Sequence, residues 1–385
     1  MKKLVPVFAI SLLVTLMSSR CQKTPGPASE LTTCNFYYWK TTLEFNKKDK
    51  ALADSLGMKK LYLRYFDVDW SPTLEMPVPV GEATFWEWTG SGIWGDETIQ
   101  IADYQVVPTI YLTNRIFTKE INVDSLVARI SRKIQEKTQE LGTQAVRWGA
   151  SFDDPEMTDW EEFDTLWQVK NATFLARFTE IQLDCDWTPS TRERYFAFLK
   201  AMKKANPGTA ITCTVRLHQF RDREQAGIPP VDQATLMCYN VAPPKDFGTA
   251  DAIFDPALVE GYLKNGGYPL PLEAALPLFS WGALFHENQF KGLASELSEA
   301  DIKNNPLFAA AGEGRYRFTQ DTVFAEVYMR EGDIVRLDGP SQEELAAAAG
   351  RLTQIKAVKS ISFFDWNADK IREYHVDEII KKFNR

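Results

Sequence analysis

The stretch Thr179-Glu180-Ile181-Gln182-Leu183-Asp184-Cys185-Asp186-Trp187-Thr188 has the pattern of a buried strand that ends in two carboxylates. Side chains alternate between the two faces of a strand. One face carries the apolar residues Ile181, Leu183, Cys185 and Trp187, and the other carries Gln182, Asp184 and Asp186. Because Asp184 and Asp186 lie two residues apart on one face, their Cβ atoms are expected roughly 6–7 Å apart. The sequence therefore predicts an acidic pair at the end of this strand.

Strand-like and helix-like runs alternate on both sides of this stretch, which is typical of βα units around a parallel sheet. The predicted strands are 35–41, 60–66, 106–113, 181–186, 210–218, 235–240, 274–281 and 360–366. The long predicted helices are 47–56, 124–141 with Asp124 as N-cap, 192–204 and 342–355. Eight strands separated mostly by helices is the count of a (β/α)8 TIM-type barrel, so we predict this fold in the α/β class.

Two segments interrupt the alternation. Residues 282–340 are predicted to form a small α+β insertion after the seventh strand, with strands at 322–329 and 333–337 around the turn Arg330-Glu331-Gly332. Residues 147–177 are rich in Asp and Glu and are predicted to form an additional helical segment before the fourth strand. A calcium loop is the alternative to a solvated acidic face there, but the glycine of the known calcium-loop pattern is missing, so we predict no metal.

The N-terminus has the features of a targeting segment. Lys2 and Lys3 precede an apolar run at 4–17, and Ser18-Ser19-Arg20-Cys21 follows. This order resembles a bacterial lipoprotein signal, which implies a signal peptide over 1–21, lipidation of Cys21, a tether over 22–33 and a barrel domain over 34–385. It also implies a protein held at a membrane of the bacterial cell envelope, the outer membrane, through a lipid. Arg20 departs from the usual small residue, so an ordinary signal peptide or an uncleaved anchor is the alternative.

The composition of the chain disfavours several classes of binding partner and cofactor. The chain has 385 residues and a net charge of −8, which disfavours general binding to nucleic-acid phosphates. The later cysteines, Cys34, Cys185, Cys213 and Cys238, contain no C-x-x-C pair, and the last three behave as small buried hydrophobes. No G-x-S-x-G elbow and no glycine-rich phosphate loop is present, because Asn265-Gly266-Gly267 has the pattern of a helix stop. We therefore predict no cofactor.

Functional side chains of such barrels lie at the carboxyl ends of the strands. We assign Asp184 and Asp186 as candidate catalytic residues. The candidate substrate-binding residues at the same rim are Arg64, Asp67, Arg216, His218, Tyr239, Trp281, Asp365 and Trp366. Carboxylates for proton transfer, amides for hydroxyl groups and aromatic faces for sugar rings together indicate a carbohydrate cleft, with Trp366 or Trp281 as the platform.

The motif around Asp184 resembles the fourth-strand signature of chitinase-like glycoside hydrolases, D-G-x-D-x-D-W-E. The resemblance places Asp184 and Asp186 on its second and third aspartates, of which the last orients the N-acetyl group of the substrate. An insertion after the seventh strand and a Trp at the end of the eighth are further shared features. Ile181 replaces the first Asp, and Thr188 replaces the general-acid Glu, so the family mechanism cannot run unchanged. The chain also resembles bacterial envelope proteins with glycosidase-like barrels.

Two functions follow from this pattern. The first is a glycoside hydrolase in which one of Asp184 and Asp186 has a raised pKa and acts as the acid, with Asp67 or Asp365 replacing the missing Glu. The second is a non-catalytic glycan-binding or scaffold lipoprotein on a degenerate barrel. The acidic pair has a structural alternative, an ion-pair network with Arg64 or Arg216. Arg216 either orients the pair or holds a substrate carboxylate, and His218 is a further candidate acid or base.

Overall fold

The barrel is closed because its first strand pairs with both the second and the last. The computed structural model describes residues 34–85, 99–147, 160–264, 266–295, 297–303 and 305–384. In chain order the strands are β1 (Cys34–Tyr38), β2 (Met58–Ser71), β3 (Met76–Val80), β4 (Gln105–Leu112), β5 (Glu180–Asp184), β6 (Ala210–Arg216), β7 (Gln233–Met237), β8 (Leu272–Pro277), β9 (Trp281–His286), β10 (Gln289–Ser295), β11 (Phe308–Gly312), β12 (Arg315–Phe318), β13 (Thr322–Phe324), β14 (Val327–Met329), β15 (Ile334–Asp338) and β16 (Val358–Phe364).

The barrel strands follow the order β1-β16-β8-β7-β6-β5-β4-β2, and β2 returns to β1. All eight of these pairings are parallel. The predicted (β/α)8 fold is confirmed. Several predicted strand ends are wrong by two residues or more. The strands predicted over 35–41, 181–186, 210–218, 235–240, 274–281 and 360–366 end earlier, at Tyr38, Asp184, Arg216, Met237, Pro277 and Phe364 respectively, and the one predicted over 60–66 continues to Ser71.

Helices surround the barrel on its outside, and one further helix, Glu299–Lys303, lies within the segment between β10 and β11. In chain order they are α1 (Lys47–Ser55), α2 (Val123–Gly142), α3 (Trp160–Leu175), α4 (Arg192–Ala205), α5 (Leu217–Arg221), α6 (Arg223–Ala226), α7 (Pro256–Leu263), α8 (Glu299–Lys303), α9 (Gln342–Leu352), α10 (Ala368–Glu373) and α11 (Val376–Phe383). Helix α2 begins at Val123, one residue before the predicted range. Its N-cap is Asn122 rather than the predicted Asp124, because the side chain of Asn122 accepts a hydrogen bond from the backbone N–H of Ser125. No helix in the described ranges is long and apolar enough to cross a membrane.

Strand β2 is longer than the other barrel strands because its end continues past β4 and pairs with β3. Asp67 to Ser71 pair antiparallel with Met76 to Val80, so a hairpin rises at the carboxyl end of the barrel. Asp67 and Asp69 lie two residues apart and therefore on one face of this hairpin. Strand β3 was not predicted, because prolines such as those at 77 and 79 are uncommon in strands.

The insertion lies between β8 and α9. Its five-stranded sheet has the order β10-β9-β15-β12-β11, and β13 and β14 form a separate hairpin. The prediction of one strand over 322–329 is wrong, since Ala325 and Glu326 adopt positive φ angles of 48° and 63° and turn the chain back on itself. Strand β15 pairs with β9 and β12 instead of with that segment.

The alternation of Ile181–Trp187 orients the central motif as predicted. On the inner face, Gln182 Nε2 donates to Thr235 Oγ1 of β7 across the barrel at 3.0 Å. On the outer face, Trp187 stacks on Tyr195 of α4 with ring centroids 5.4 Å apart. Tyr195 also lies beside the thiols of Cys185 and Cys213, so both thiols face the helix layer.

Several sequence predictions concern residues outside the described ranges. These are the signal peptide over 1–21 with Cys21, the tether over 22–33, and the first half of the acidic segment. The second half of that segment belongs to α3.

Candidate functional site

Asp184 is the innermost carboxylate at the carboxyl end of the barrel. It is the last residue of β5, is 8% exposed, and accepts a hydrogen bond of 2.6 Å from Thr214 Oγ1 of β6. Burial raises the pKa of Asp184 to about 7, the Thr214 hydrogen bond opposes that rise, and the charge of Asp186 adds to it. Asp184 is thus a carboxyl group that holds a proton for much of the time near neutral pH.

Asp186 is the accessible member of the pair. Its side chain is 46% exposed, and Arg216 Nε of β6 lies 3.4 Å from Asp186 Oδ1. Tyr111 of β4 lies beside both carboxylates, and burial followed by the charge of Asp186 raises the pKa of this phenol to about 12. The predicted meeting of the acidic pair with Arg216 is therefore present, as one long contact at the edge of the cleft.

Arg64 and Asp67, both predicted to bind substrate, bind each other. Arg64 Nε and Nη2 donate to the two carboxylate oxygens of Asp67 at 3.0 and 2.6 Å, a bidentate geometry. Gly81 passes so close that a Cβ atom there would lie 2.8 Å from Arg64 Nη2, and its φ of 57° also favours glycine. The guanidinium of Arg64 lies 5.7 Å from the ring centroid of Trp39. Arg64 thus joins the acidic side of the cleft to an aromatic residue.

Thr188, at the position of the chitinase acid, serves a local turn. Its hydroxyl lies 2.9 Å from Ser190 Oγ and 3.2 Å from Thr191 Oγ1. Thr191 in turn donates to Asn114 Oδ1 at 2.6 Å. A threonine hydroxyl engaged in this way supplies no proton to a leaving group, so the motif lacks its acid in three dimensions as it does in sequence.

A row of aromatic side chains lies at the same carboxyl end of the barrel. Ring centroids lie 5.5 Å apart for Trp39 and Phe364, 5.9 Å for Phe364 and Phe279, and 5.6 Å for Phe279 and Trp281. These four side chains, Trp39, Phe364, Phe279 and Trp281, are all partly exposed, and we call them the aromatic row. We did not predict Phe279 and Phe364, although Phe364 continues the inward alternation of Ser360 and Ser362.

Tyr239 connects the aromatic row to the acidic pair. Its ring lies 5.4 Å from Phe364 and 5.8 Å from Phe279. Burial, and then the charge of Asp184, raises the pKa of Tyr239 far above its ordinary value. Tyr239, which the sequence analysis assigns to substrate binding, is 4% exposed and lies between the aromatic row and the acidic pair as a buried residue.

Trp366 is not a sugar platform, and this part of the site prediction is wrong. Its side chain is 2% exposed, stacks edge-on against Phe36 at 4.9 Å, and donates its indole N–H to Asp49 of α1. The alternation that would have turned it inward ends with β16 at Phe364. The neighbouring Asp365 lies near Tyr38, whose pKa its charge helps to raise.

His218 lies beyond the end of β6, on the short helix α5, and is exposed, so its predicted place within the strand over 210–218 is wrong. Partial burial and then the charge of Arg216 lower the pKa of its imidazole. Within the described ranges, no three His, Cys, Asp or Glu side chains converge as ligands for a metal ion.

Trp281 begins β9 of the insertion and is held by a buried ion pair. Its indole N–H donates to Asp338 Oδ2 at 2.9 Å. Arg336 donates to both oxygens of Asp338, and to the backbone carbonyls of Pro244, Asp246 and Thr249 in the loop after β7. Both charged side chains are 0% exposed. The insertion and that loop are therefore fastened together behind Trp281.

No protein-family model matches the sequence, and no curated protein matches it significantly. Solved structures with similar barrels include the spore cortex-lytic enzyme SleL of Bacillus cereus, with 15% identity, a TM-score of 0.47 and coverage of 93% of this chain and 76% of that one. The catalytic domain of psychrophilic chitinase B from Arthrobacter TAD20 has 11% identity, a TM-score of 0.49 and coverage of 93% and 96%.

A third similar structure is a glycoside hydrolase family 18 N-acetylglucosaminidase from Paenibacillus barengoltzii, with 11% identity, a TM-score of 0.43 and coverage of 91% and 99%. All three structures have TM-scores below 0.5 with this chain. At these low identities and TM-scores they assign no activity to this chain.

Proposed function

We propose that the protein binds a glycan in the cleft at the carboxyl ends of the barrel strands. The observation that carries this proposal is the meeting of the aromatic row with the acidic pair in one cleft, through Tyr239. Sugar rings present apolar faces that pack on aromatic side chains and hydroxyl groups that bond to carboxylates and guanidinium groups. Both kinds of partner are available here, since Trp39 is partly exposed and Asp186 is nearly half exposed.

Binding without chitinase-type hydrolysis is the better supported form of this proposal. Hydrolysis of a glycosidic bond requires an acid that reaches the leaving oxygen. Asp184 holds a proton near neutral pH but is buried behind its hydrogen bond with Thr214, and Asp67 is occupied by Arg64. Asp186 is accessible, but its carboxylate contacts the guanidinium of Arg216 at 3.4 Å.

Titration calorimetry with β-1,4-linked N-acetylglucosamine oligomers and neutral oligosaccharides tests the proposal. We expect the intact chain to bind at least one of them and Trp39→Ala to weaken that binding by at least about tenfold, as removal of an aromatic anchor does. Tyr328→Ala is the matched control, because Tyr328 is an exposed aromatic residue in the β13–β14 hairpin and bonds only to Asp321 within the described chain. Equal losses in both variants, or no binding to any glycan, would remove the proposal.

Hydrolysis is the second candidate, and the raised pKa of Asp184 favours it. A carboxyl group with a pKa of about 7 beside a second carboxylate is a common arrangement for an acid and its ionised partner. Release of reducing ends from the bound glycan would establish this function. If Asp184 is the acid, turnover must fall as the pH rises through about 7, and Asp184→Asn must abolish it without loss of binding.

We also propose that a lipid on Cys21 holds the barrel at a membrane of the bacterial envelope. The support is the order of charged, apolar and small residues before Cys21, followed by a stretch rich in Pro and Gly. Cell fractionation of Cys21→Ser should move the protein from the membrane to the soluble fraction. Unchanged partitioning into detergent would exclude the lipid anchor.

A further inference from the structure

Exposed lysines lie on both sides of β1 at the amino end of the barrel, opposite the cleft. Strands β2 and β16 flank β1, and Cys34 pairs in register with Met58 and Ile361. Each flanking strand begins with a buried apolar residue that an exposed lysine follows, Lys59 in β2 and Lys359 in β16. Burial raises the pKa of the Cys34 thiol to about 12, and the charge of Lys59 opposes this rise, so Lys59 lies beside the start of β1.

Two further lysines belong to the same end of the barrel. Lys356 lies just before β16, and Lys264 follows α7 in the connection to β8, the strand that pairs with β16. All four side chains are exposed. None of them forms an ion pair with a residue in the described ranges. We call Lys59, Lys264, Lys356 and Lys359 the basic face.

Nearby acidic residues do not neutralise the basic face. The last turns of α1 and α7, the helices that lead into β2 and β8, contain Asp54 and Glu260. Asp54 pairs with Lys50 at 2.8 Å, and Glu260 pairs with Arg351 at 2.6 Å. The helix dipole explains a cation only at a helix end, and of the basic face only Lys264 lies there, as the C-cap of α7. The basic face is therefore a local positive field on a chain whose net charge is −8.

We propose that the basic face contacts the anionic headgroups of a lipid bilayer and so holds the cleft away from it. The chain enters β1 at Cys34, between Lys59 and Lys359. Residues 22–33 can span at most about 40 Å, so a lipid on Cys21 would keep this end of the barrel near the bilayer. The choice of a bilayer as the partner rests on the proposed lipid at Cys21, whereas the basic face itself does not.

The electrostatic attraction has a size that can be measured. A lysine near an anionic bilayer adds roughly fivefold to the affinity. The attraction fades over one Debye length, which is about 10 Å at about 0.1 M salt and about 3 Å at about 1 M. An anchor that keeps the basic face near the bilayer makes this short-range attraction effective, because it raises the local concentration of the headgroups. The cleft at the opposite end then stays open to glycans in the surrounding solution.

Vesicle binding of the Cys21→Ser chain tests the basic face without the lipid. The probes are vesicles of phosphatidylcholine alone and vesicles that also contain phosphatidylglycerol. In this chain we expect the triple change Lys59→Gln, Lys356→Gln and Lys359→Gln to weaken binding to the anionic vesicles by at least about tenfold. Binding to the phosphatidylcholine vesicles should not change, and about 1 M salt should remove the difference between the two kinds of vesicle.

The matched control removes the same charge from the other end of the barrel. Lys47 and Lys48 begin α1 after β1, and Lys245 lies in the loop after β7; all three are exposed. The triple change Lys47→Gln, Lys48→Gln and Lys245→Gln should leave the affinity for anionic vesicles unchanged. Residues 1–20 are common to all the chains compared, so they do not affect these differences.

Three results would overturn the proposal. The first is equal weakening by both triple changes, which would assign the effect to net charge alone. The second is equal affinity of the Cys21→Ser chain for the two kinds of vesicle. The third is that the basic-face change lowers affinity for dextran sulfate, a soluble polyanion, but not for anionic vesicles. Because the Cys21→Ser chain carries no lipid, these results decide the basic face whether or not Cys21 is lipidated in the parent.

Amine acetylation of the parent chain supplies a second measurement that needs no variant. On anionic vesicles, mass spectrometry should find Lys59, Lys356 and Lys359 acetylated more slowly than in solution, because a surface in contact with headgroups is shielded from the reagent. Lys47 and Lys48 should react at the same rate in both conditions. Equal protection of all five lysines, or protection of Lys47 and Lys48 alone, would overturn the proposed orientation.

Discussion

Two arginine–aspartate ion pairs in this molecule differ in their exposure to solvent. In the insertion, Arg336 and Asp338 are fully buried and joined by two hydrogen bonds of 2.6 and 2.9 Å. At the cleft, Arg216 and Asp186 are 25% and 46% exposed and share one contact of 3.4 Å. The Arg336–Asp338 pair exposes no polar atom that a ligand could contact. The Arg216–Asp186 pair keeps polar atoms that face solvent.

The difference in burial separates charged residues that stabilise the fold from charged residues that a ligand can reach. A buried pair is costly to break, because removal of one partner leaves the other charge without compensation. A half-exposed pair contributes little to stability, because water replaces the missing partner. We therefore infer that the Arg336–Asp338 pair holds the insertion in place and that the Arg216–Asp186 pair serves the ligand.

Asp338→Ala should have the largest effect on stability. It leaves the guanidinium of Arg336 buried and unpaired, so the free energy of unfolding should fall by about 3–5 kcal/mol in chemical denaturation. Asp369→Ala is the control, since Asp369 pairs with Arg372 on the surface with its side chain 96% exposed. A similar small loss for both variants would mean that burial does not separate the two pairs.

The pH dependence of stability should identify Asp184 as the buried acid. Its pKa is about 7 in the folded chain, against an ordinary value of 3.8, so the folded state holds more protons between these values and loses stability as the pH rises. Asp184→Asn removes this loss, so relative to the parent the variant should gain up to about 4 kcal/mol between pH 4 and pH 8. Denaturation curves across this range measure the gain, and a difference that stays constant with pH would contradict it.

Asp67→Ala should lower the free energy of unfolding by less than Asp338→Ala does and by more than Asp186→Asn does. The Arg64–Asp67 pair is bidentate like the buried pair, but its side chains are 16% and 19% exposed. Loss of two hydrogen bonds to a charged group should lower the free energy of unfolding by about 1.5–3 kcal/mol. A value as large as that of Asp338→Ala would show that geometry rather than burial sets the cost.

Asp186→Asn should have the smallest effect on stability. Both partners are solvated, so we expect the free energy of unfolding to change by less than about 1 kcal/mol. A loss of about 3–5 kcal/mol would assign the pair a structural role instead, as the alternative interpretation of the sequence holds.

The barrel could be predicted from sequence because strand alternation and helix periodicity act locally. The inward position of Asp184 and the outward position of Cys185 follow from the period of two within β5. The prediction failed where the period ends: Trp366 follows the last residue of β16 and packs on α1, and His218 lies on α5 beyond β6. Position after a strand end is set by tertiary packing, which the local pattern does not contain.

The aromatic residues of the candidate site were harder to predict from the sequence than its acidic residues. Phe279 and Phe364 look like ordinary core residues in the sequence, and only the closure of the barrel places them in one row with Trp39. The pairing of Arg64 with Asp67 likewise depends on an irregularity in β2 between Arg64 and Phe66, because residues three apart on a regular strand point to opposite faces.

The most direct test of the account is glycan titration of Asp186→Asn beside Asp369→Asn, two exposed aspartates that each contact an arginine. For a glycan that the parent chain binds, we predict at least about tenfold weaker affinity for Asp186→Asn, which is about 1.4 kcal/mol, and unchanged affinity for Asp369→Asn. Unchanged affinity in both variants, or failure of the parent chain to bind any N-acetylated or neutral oligosaccharide, would contradict the assignment of this cleft.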